Sequence, residues 1–94
     1  MHFFIRCKDK AGKVDLRIAT RPKHVEYLKR FEANILAAGP TLTDDGQTPT
    51  GSVLLMEFPD MKAAEAFAAG DPYAVAGLFE RVIIAPWKKV FPAA

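Results

Sequence analysis

Gly51-Ser52-Val53-Leu54-Leu55-Met56-Glu57-Phe58 is the stretch on which the fold turns. It is a short apolar run of strand length, the clearest in the chain. Asp60 then makes a good N-cap for the Ala-rich segment Met61 to Ala69, a helix that Gly70 stops. Asp71-Pro72 repeats the cap-then-Pro pattern and starts a short helical turn that Gly77 can end. Leu78 to Pro86 is the last strand, and Trp87 to Ala94 is a tail.

Working outward, His2 to Lys8 is aromatic and β-branched and reads as the first strand, ending at the polar run Asp9 to Lys13. Val14 to Thr20 fits either a helical lead-in or an irregular loop. Pro22 suits the first turn of a helix, where its missing N–H costs nothing. His24, Leu28, Phe31 and Ile35 then recur at i, i+4, i+7 and i+11, with Val25 and Leu36 widening the stripe. The spacing predicts an amphipathic helix from about Arg21 to Asn34. Ile35 to Leu42 is a second strand, and Gly39-Pro40 marks it as an edge or a bulge. Thr43 to Thr50 is an exposed, mobile loop that turns at Asp45-Gly46. The order β-α-β-β-α-β is that of an α+β, ferredoxin-like fold: a four-stranded antiparallel sheet with two helices on one face.

The chain has 94 residues, which is one domain spanning 1–94. Half of the residues are hydrophobic and 26% are charged, the ordinary proportions of a folded domain. One Cys excludes an intrachain disulfide framework and a Cys-rich zinc site. A net charge of +2 is too weak for a nucleic-acid binder, and the third strand lacks the aromatic and basic pattern of an RNA-recognition sheet. No apolar run reaches the ~20 residues that span a bilayer, and the N-terminus has no signal-peptide pattern. A cytoplasmic protein with a reduced thiol is expected.

Both sheet faces are apolar. Val53 and Leu55 alternate with Leu54, Met56 and Phe58. Phe79, Ile83 and Ala85 alternate with Leu78, Val82 and Ile84, and Phe3, Ile5 and Cys7 stand opposite Phe4. Two helices cover only one face, so a homodimer through the other sheet face is expected. The alternative is a monomer that covers this face with its own loop and tail. Lys at Leu54 or Met56 is expected to disrupt dimer and fold together.

His24 is the first candidate for chemistry. In the first turn of its helix, the dipole would favour neutral imidazole, suited to general-base work; the plainer reading is a histidine with one satisfied hydrogen bond. Asp71 reads as an N-cap, and also as an acid able to orient an imidazole. Cys7 reads as a small buried hydrophobe. No phosphate loop, dinucleotide fingerprint, nucleophile elbow or zinc-protease motif is present, so neither cofactor nor metal is expected.

Several pieces, in this order and spacing, resemble the YciI-like (YCII-related) family of dimeric α+β barrel proteins. They are Arg21-Pro22-Lys23-His24, Ala38-Gly39-Pro40, Gly51-Ser52, Asp71-Pro72-Tyr73 with Ala76-Gly77-Leu78-Phe79, and Pro86-Trp87-Lys88-Lys89-Val90-Phe91. The resemblance implies a protomer that dimerises through its sheet and a small-molecule pocket between sheet and helices. It implies a His–Asp centre at His24 and Asp71, with Tyr73, Gly39 and Pro40 as substrate-binding positions. One branch similar to this family removes chloride from a chlorinated hydroxyquinol; the wider superfamily includes lactone isomerases and cofactor-free monooxygenases. The expectation is a cofactor-free enzyme that transfers protons on a small ring compound, by elimination, dehydrochlorination or isomerisation. The alternative is a non-catalytic small-molecule-binding or regulatory module.

Overall fold

Alternating strands and capped helices fold here into two layers, a sheet and the helices on one side of it. The structure, a computed structural model, describes residues 1–93. The elements are β1 (His2–Asp9), α1 (Val14–Arg30), a 3-10 turn (Glu32–Asn34), β2 (Ile35–Leu42), β3 (Pro49–Glu57), α2 (Met61–Gly70), α3 (Pro72–Val75) and β4 (Phe79–Trp87). The strands form one antiparallel sheet in the order β2-β3-β1-β4. This is the expected α+β, ferredoxin-like βαββαβ arrangement. Among the described residues no helix is long and apolar enough to cross a membrane.

Residues opposite each other in a ladder share a face, so the register sorts the side chains. Phe3 pairs with Met56, Ile5 with Leu54 and Ile84, and Cys7 with Ser52 and Val82. These point to the helices, and Phe3, Ile5, Leu54 and Met56 pack with Tyr27 of α1 and Ala64 and Phe67 of α2. Phe4 pairs with Leu55 and Ala85, and Arg6 with Val53 and Ile83, on the uncovered face. Leu54 and Met56 are therefore core residues, not interface residues. Lys at either position, expected to disrupt dimer and fold together, would strike the core directly rather than an interface.

Two further expectations change. Phe79 does not alternate with Leu78 across the sheet. The β1–β4 register shifts between Lys8 and Asp9, which brings Phe79 opposite Asp9. Phe79 packs on the helix side, its ring edge-on to Tyr73 at 6.0 Å. The first helix also starts at Val14 rather than Arg21, so Pro22 lies inside it. Pro22 removes the N–H owed to the Ile18 carbonyl, but both residues are exposed and water can serve that oxygen. The helix extends backwards because its early residues are tied down: Arg17 and Thr20 are buried. The buried stripe of α1 is thus Arg17, Thr20 and Tyr27, at i, i+3 and i+10. Val25 and Leu36, assigned to the apolar stripe, are exposed.

The cap assignments hold. Asp60 accepts from the Ala63 N–H at 2.8 Å, and Gly77 has φ 77°, the left-handed conformation that ends a helix. Gly70 is the last residue of α2 rather than a residue beyond it. Its missing side chain serves packing: a Cβ there would lie 2.6 Å from the Tyr27 hydroxyl, which donates to the Phe67 carbonyl at 2.9 Å. The loop between β2 and β3 is exposed and turns at Gly46, φ 73°. The Asp45 carboxylate accepts from the Thr43 hydroxyl and the Gln47 N–H; those bonds hold it below the usual carboxylate range.

Candidate functional site

Asp71 joins α2 to α3 and performs both roles open to it. Its Oδ1 accepts from the Tyr73 N–H at 2.9 Å, capping α3. The same oxygen lies 2.9 Å from His24 Nδ1. The Asp71 side chain is 4% exposed and that of His24 12%, so little water competes for the contact. With Nδ1–H donating to the carboxylate, the neutral imidazole keeps its free lone pair on Nε2. His24 sits near the middle of α1, not in its first turn, so the helix-dipole argument for a neutral imidazole does not apply. What orients the ring is the carboxylate and an aromatic neighbour.

That neighbour is Tyr73. Its ring stacks on the imidazole with centroids 4.1 Å apart and planes 19° from parallel. The Arg17 guanidinium carbon lies 4.4 Å from the centre of the same ring, a cation–π distance. Tyr73 is 2% exposed. Burial raises the pKa of its phenol, and Arg17 opposes that shift, so Tyr73 remains a hydrogen-bond donor at neutral pH.

Arg17, Asp9 and Ser52 complete the cluster, and sequence reasoning missed all three. Arg17 Nε and Nη2 donate to Asp9 Oδ2 and Oδ1 at 2.6 and 3.0 Å, and Nη2 also donates to Ser52 Oγ at 2.9 Å. Burial disfavours the Arg17 cation, but the Asp9 carboxylate outweighs it and holds its pKa up. Two signals were available. The β1 alternation Phe3-Ile5-Cys7 continues to Asp9, placing that carboxylate on the covered face. Arg17, Thr20, His24 and Tyr27 also recur at one-turn spacings along α1. Cys7, as expected, is a buried hydrophobe; burial and then the Asp71 carboxylate push its thiol up to about 12.

His24, Asp71 and Tyr73 are thus brought together, whereas Gly39 and Pro40 lie on exposed β2. Pro40 pairs with Ser52 on the covered face, and Gly39 with Val53 on the uncovered one. A groove of about 420 Å³ runs between α1 and α3, lined by Thr20, Lys23, Gly70, Pro72, Val75 and Ala76 among others. Its lining includes the chain neighbours of both His24 and Asp71. Among the described residues, no group of three or more His, Cys, Asp or Glu could hold a metal ion.

The profile of the YCII-related domain matches residues 1–88. Protein YciI of Escherichia coli O6:H1 is 39% identical over 98 residues, covering 97% of this chain and all of the relative. An uncharacterized protein of Haemophilus influenzae is 37% identical with the same coverage. A solved structure of 5-chloro-2-hydroxyhydroquinone dehydrochlorinase from Burkholderia phenoliruptrix AC1100, in complex with 2,5-dihydroxybenzoquinone, is 37% identical. It superposes with a TM-score of 0.87 over 94% of each chain. A putative antibiotic biosynthesis monooxygenase from Nitrosomonas europaea, 19% identical with a TM-score of 0.55, shares the fold. The chain belongs to the YCII-related domain family.

Proposed function

From this family membership and the His24–Asp71 geometry, we propose that the protein is a cofactor-free acid–base enzyme acting on a small hydroxylated ring compound. The observation that carries the reading is the direct 2.9 Å contact of His24 Nδ1 with a buried carboxylate that a backbone N–H also holds in place. That arrangement leaves Nε2 as the proton acceptor and stabilises the imidazolium that forms. In an elimination, Nε2 takes a proton from the ring substrate and the released electron pair expels chloride. In an isomerisation, the imidazolium returns the proton to a different atom. The Tyr73 phenol is the donor for a ring oxygen, and Pro40 of β2, on the covered face, is a further substrate-binding position. The resemblance to a dehydrochlorinase crystallised with a dihydroxybenzoquinone supports the ring-compound class.

The protomer pairs with a second copy through the uncovered sheet face. Phe4, Leu55, Ile83 and Ala85 lie there half-buried although, among the described residues, no helix covers them, the kind of apolar patch that marks an interface.

The test is turnover of chlorinated and unchlorinated hydroxyhydroquinones, phenols and lactones by wild type, His24→Ala and Asp71→Asn. Asn keeps the cap on α3, so Asp71→Asn should fold normally and lose about 10²- to 10⁴-fold in kcat. Wild type that binds these rings without turning them over, with His24→Ala only weakening binding, points instead to a ligand-binding module.

A further inference from the structure

Arg17 and His24 stand seven residues apart on α1, two turns and about 10.5 Å along its axis. The Tyr73 ring lies 4.4 Å from one and 4.1 Å from the other. The Tyr73 ring is thus in contact with both side chains at once and links them across two turns of the helix. On its far side Arg17 is itself clamped. Two parallel N–H···O bonds to Asp9 fix the guanidinium plane, and Ser52 Oγ takes a third. The cluster is thus one connected stack from β1 and β3 through Arg17, Tyr73 and His24 to Asp71.

A buried ion pair is a poor source of net stability, because desolvation offsets its attraction. What this pair supplies is a rigid, flat surface at a set distance from the imidazole. We propose that Arg17, held by Asp9 and Ser52, is a positioning residue: it braces the Tyr73 ring against His24 and so fixes the direction in which Nε2 points. The catalytic half of this proposal rests on the acid–base reading above; the bracing half does not. Asp71 restrains the imidazole at Nδ1 but leaves the ring free to swing about that contact. Stacking on an immobilised Tyr73 removes that freedom. Positioning errors of about 1 Å cost about 10²-fold in rate, which is the scale of effect expected.

The test uses Arg17→Lys, the double variant Asp9→Asn/Arg17→Met, and Ser52→Ala. Lysine keeps the positive charge and loses the fork and the flat face. The double variant removes both charges together, so no lone charge remains buried if Arg17→Lys folds poorly. Ser52→Ala removes one hydrogen bond and leaves the stack. The first readout is the NMR signals of the His24 ring protons, which the Tyr73 ring shifts upfield. They should move toward free-imidazole positions in both Arg17 variants and stay in place in Ser52→Ala. Unchanged His24 signals in a folded Arg17 variant overturn the brace and leave Arg17 a structural residue. The second readout is the split between kcat and KM on a substrate found by the screen above. A fall of about 10²-fold in kcat with KM little changed supports positioning; displaced His24 signals with unaltered kcat overturn its catalytic role. Should wild type turn nothing over, the acid–base reading fails while the NMR signals still decide the brace.

Discussion

The two faces of the sheet are built from the same strands, residue by residue in alternation, and they end up in different surroundings. On the covered face Phe3, Ile5, Leu54 and Met56 are at most 2% exposed. On the other face Phe4, Leu55, Ile83 and Ala85 are half-buried, paired across the ladder with neighbouring strands. Each face also has a polar end. On the covered face that end is Asp9 and Ser52, and a helix brings Arg17 down to satisfy both. On the uncovered face it is Arg6, Lys8 and Arg81, which line a small cavity of about 180 Å³ with Ile83. There the Lys8–Glu80 contact at 3.6 Å joins two exposed side chains, a pair worth little. Apolar alternation therefore states what a face can bury. Whether it becomes a core, an interface or a site depends on what the chain lays across it.

The comparison breaks most sharply at neighbouring positions of β3. Met56→Lys places a charge in the core, and unfolding by denaturant should show a loss of several kcal/mol, about 3–5. Leu55→Lys, one residue away on the uncovered face, should leave the protomer's secondary structure in place and abolish the dimer in sedimentation. A Leu55→Lys protein still at twice the 10.3 kDa chain mass would remove the case for an interface there. Leu55→Lys unfolding along with Met56→Lys would show an obligate dimer, recognisable in the wild type by a midpoint that rises with protein concentration.

A smaller effect is expected at Gly70, where helix meets helix above the covered face. Gly70→Ala drives a methyl group into the Tyr27 hydroxyl, and the repacking should cost about 1–3 kcal/mol in denaturant titration. Truncating the hydroxyl as well, in Gly70→Ala/Tyr27→Phe, should recover part of that loss.

The mildest effect concerns Cys7 on the covered face. Burial, more than any other cause, pushes its thiol up from 9.0 for the unperturbed group to about 12 in the folded protein. A folded pKa above the unfolded one means that the unfolded chain loses its proton first. The stability tied to the neutral thiol is complete below about pH 9 and is lost as pH rises toward 12. Cys7→Val should flatten the fall in stability across that window, and wild-type Cys7 should resist alkylation at pH 8 until the protein unfolds. Rapid alkylation of the folded protein would mean that this end of the covered face opens readily.

The strands, the Asp60 and Asp71 caps and the α+β order were all legible because each rests on a local rule: alternation, capping, or glycine in a left-handed position. The start of α1 was not. Val14 to Thr20 carries mixed propensity, and Pro22 favours a helix start. The contacts that extend the helix, Arg17 to Asp9 and Ser52, come from strands at other points in the chain. The same displacement hid Arg17 from the candidate site, because a residue in an ambiguous segment has no assigned face. The β1–β4 register shift that turns Phe79 toward Tyr73 likewise leaves no mark in a period-two pattern.

By itself, then, the sequence determined the element order and the ferredoxin-like topology through spacing and caps, and its family motifs marked His24 and Asp71 as residues worth pairing. Only the tertiary structure decided that Nδ1 meets the carboxylate directly, that Tyr73 lies against the imidazole, and that Arg17 contacts the same ring. Those contacts join α1 to α3 and the turn before it, and Asp71 follows His24 by 47 positions. No local propensity encodes a distance across such separations; it is set when the helices pack on the sheet.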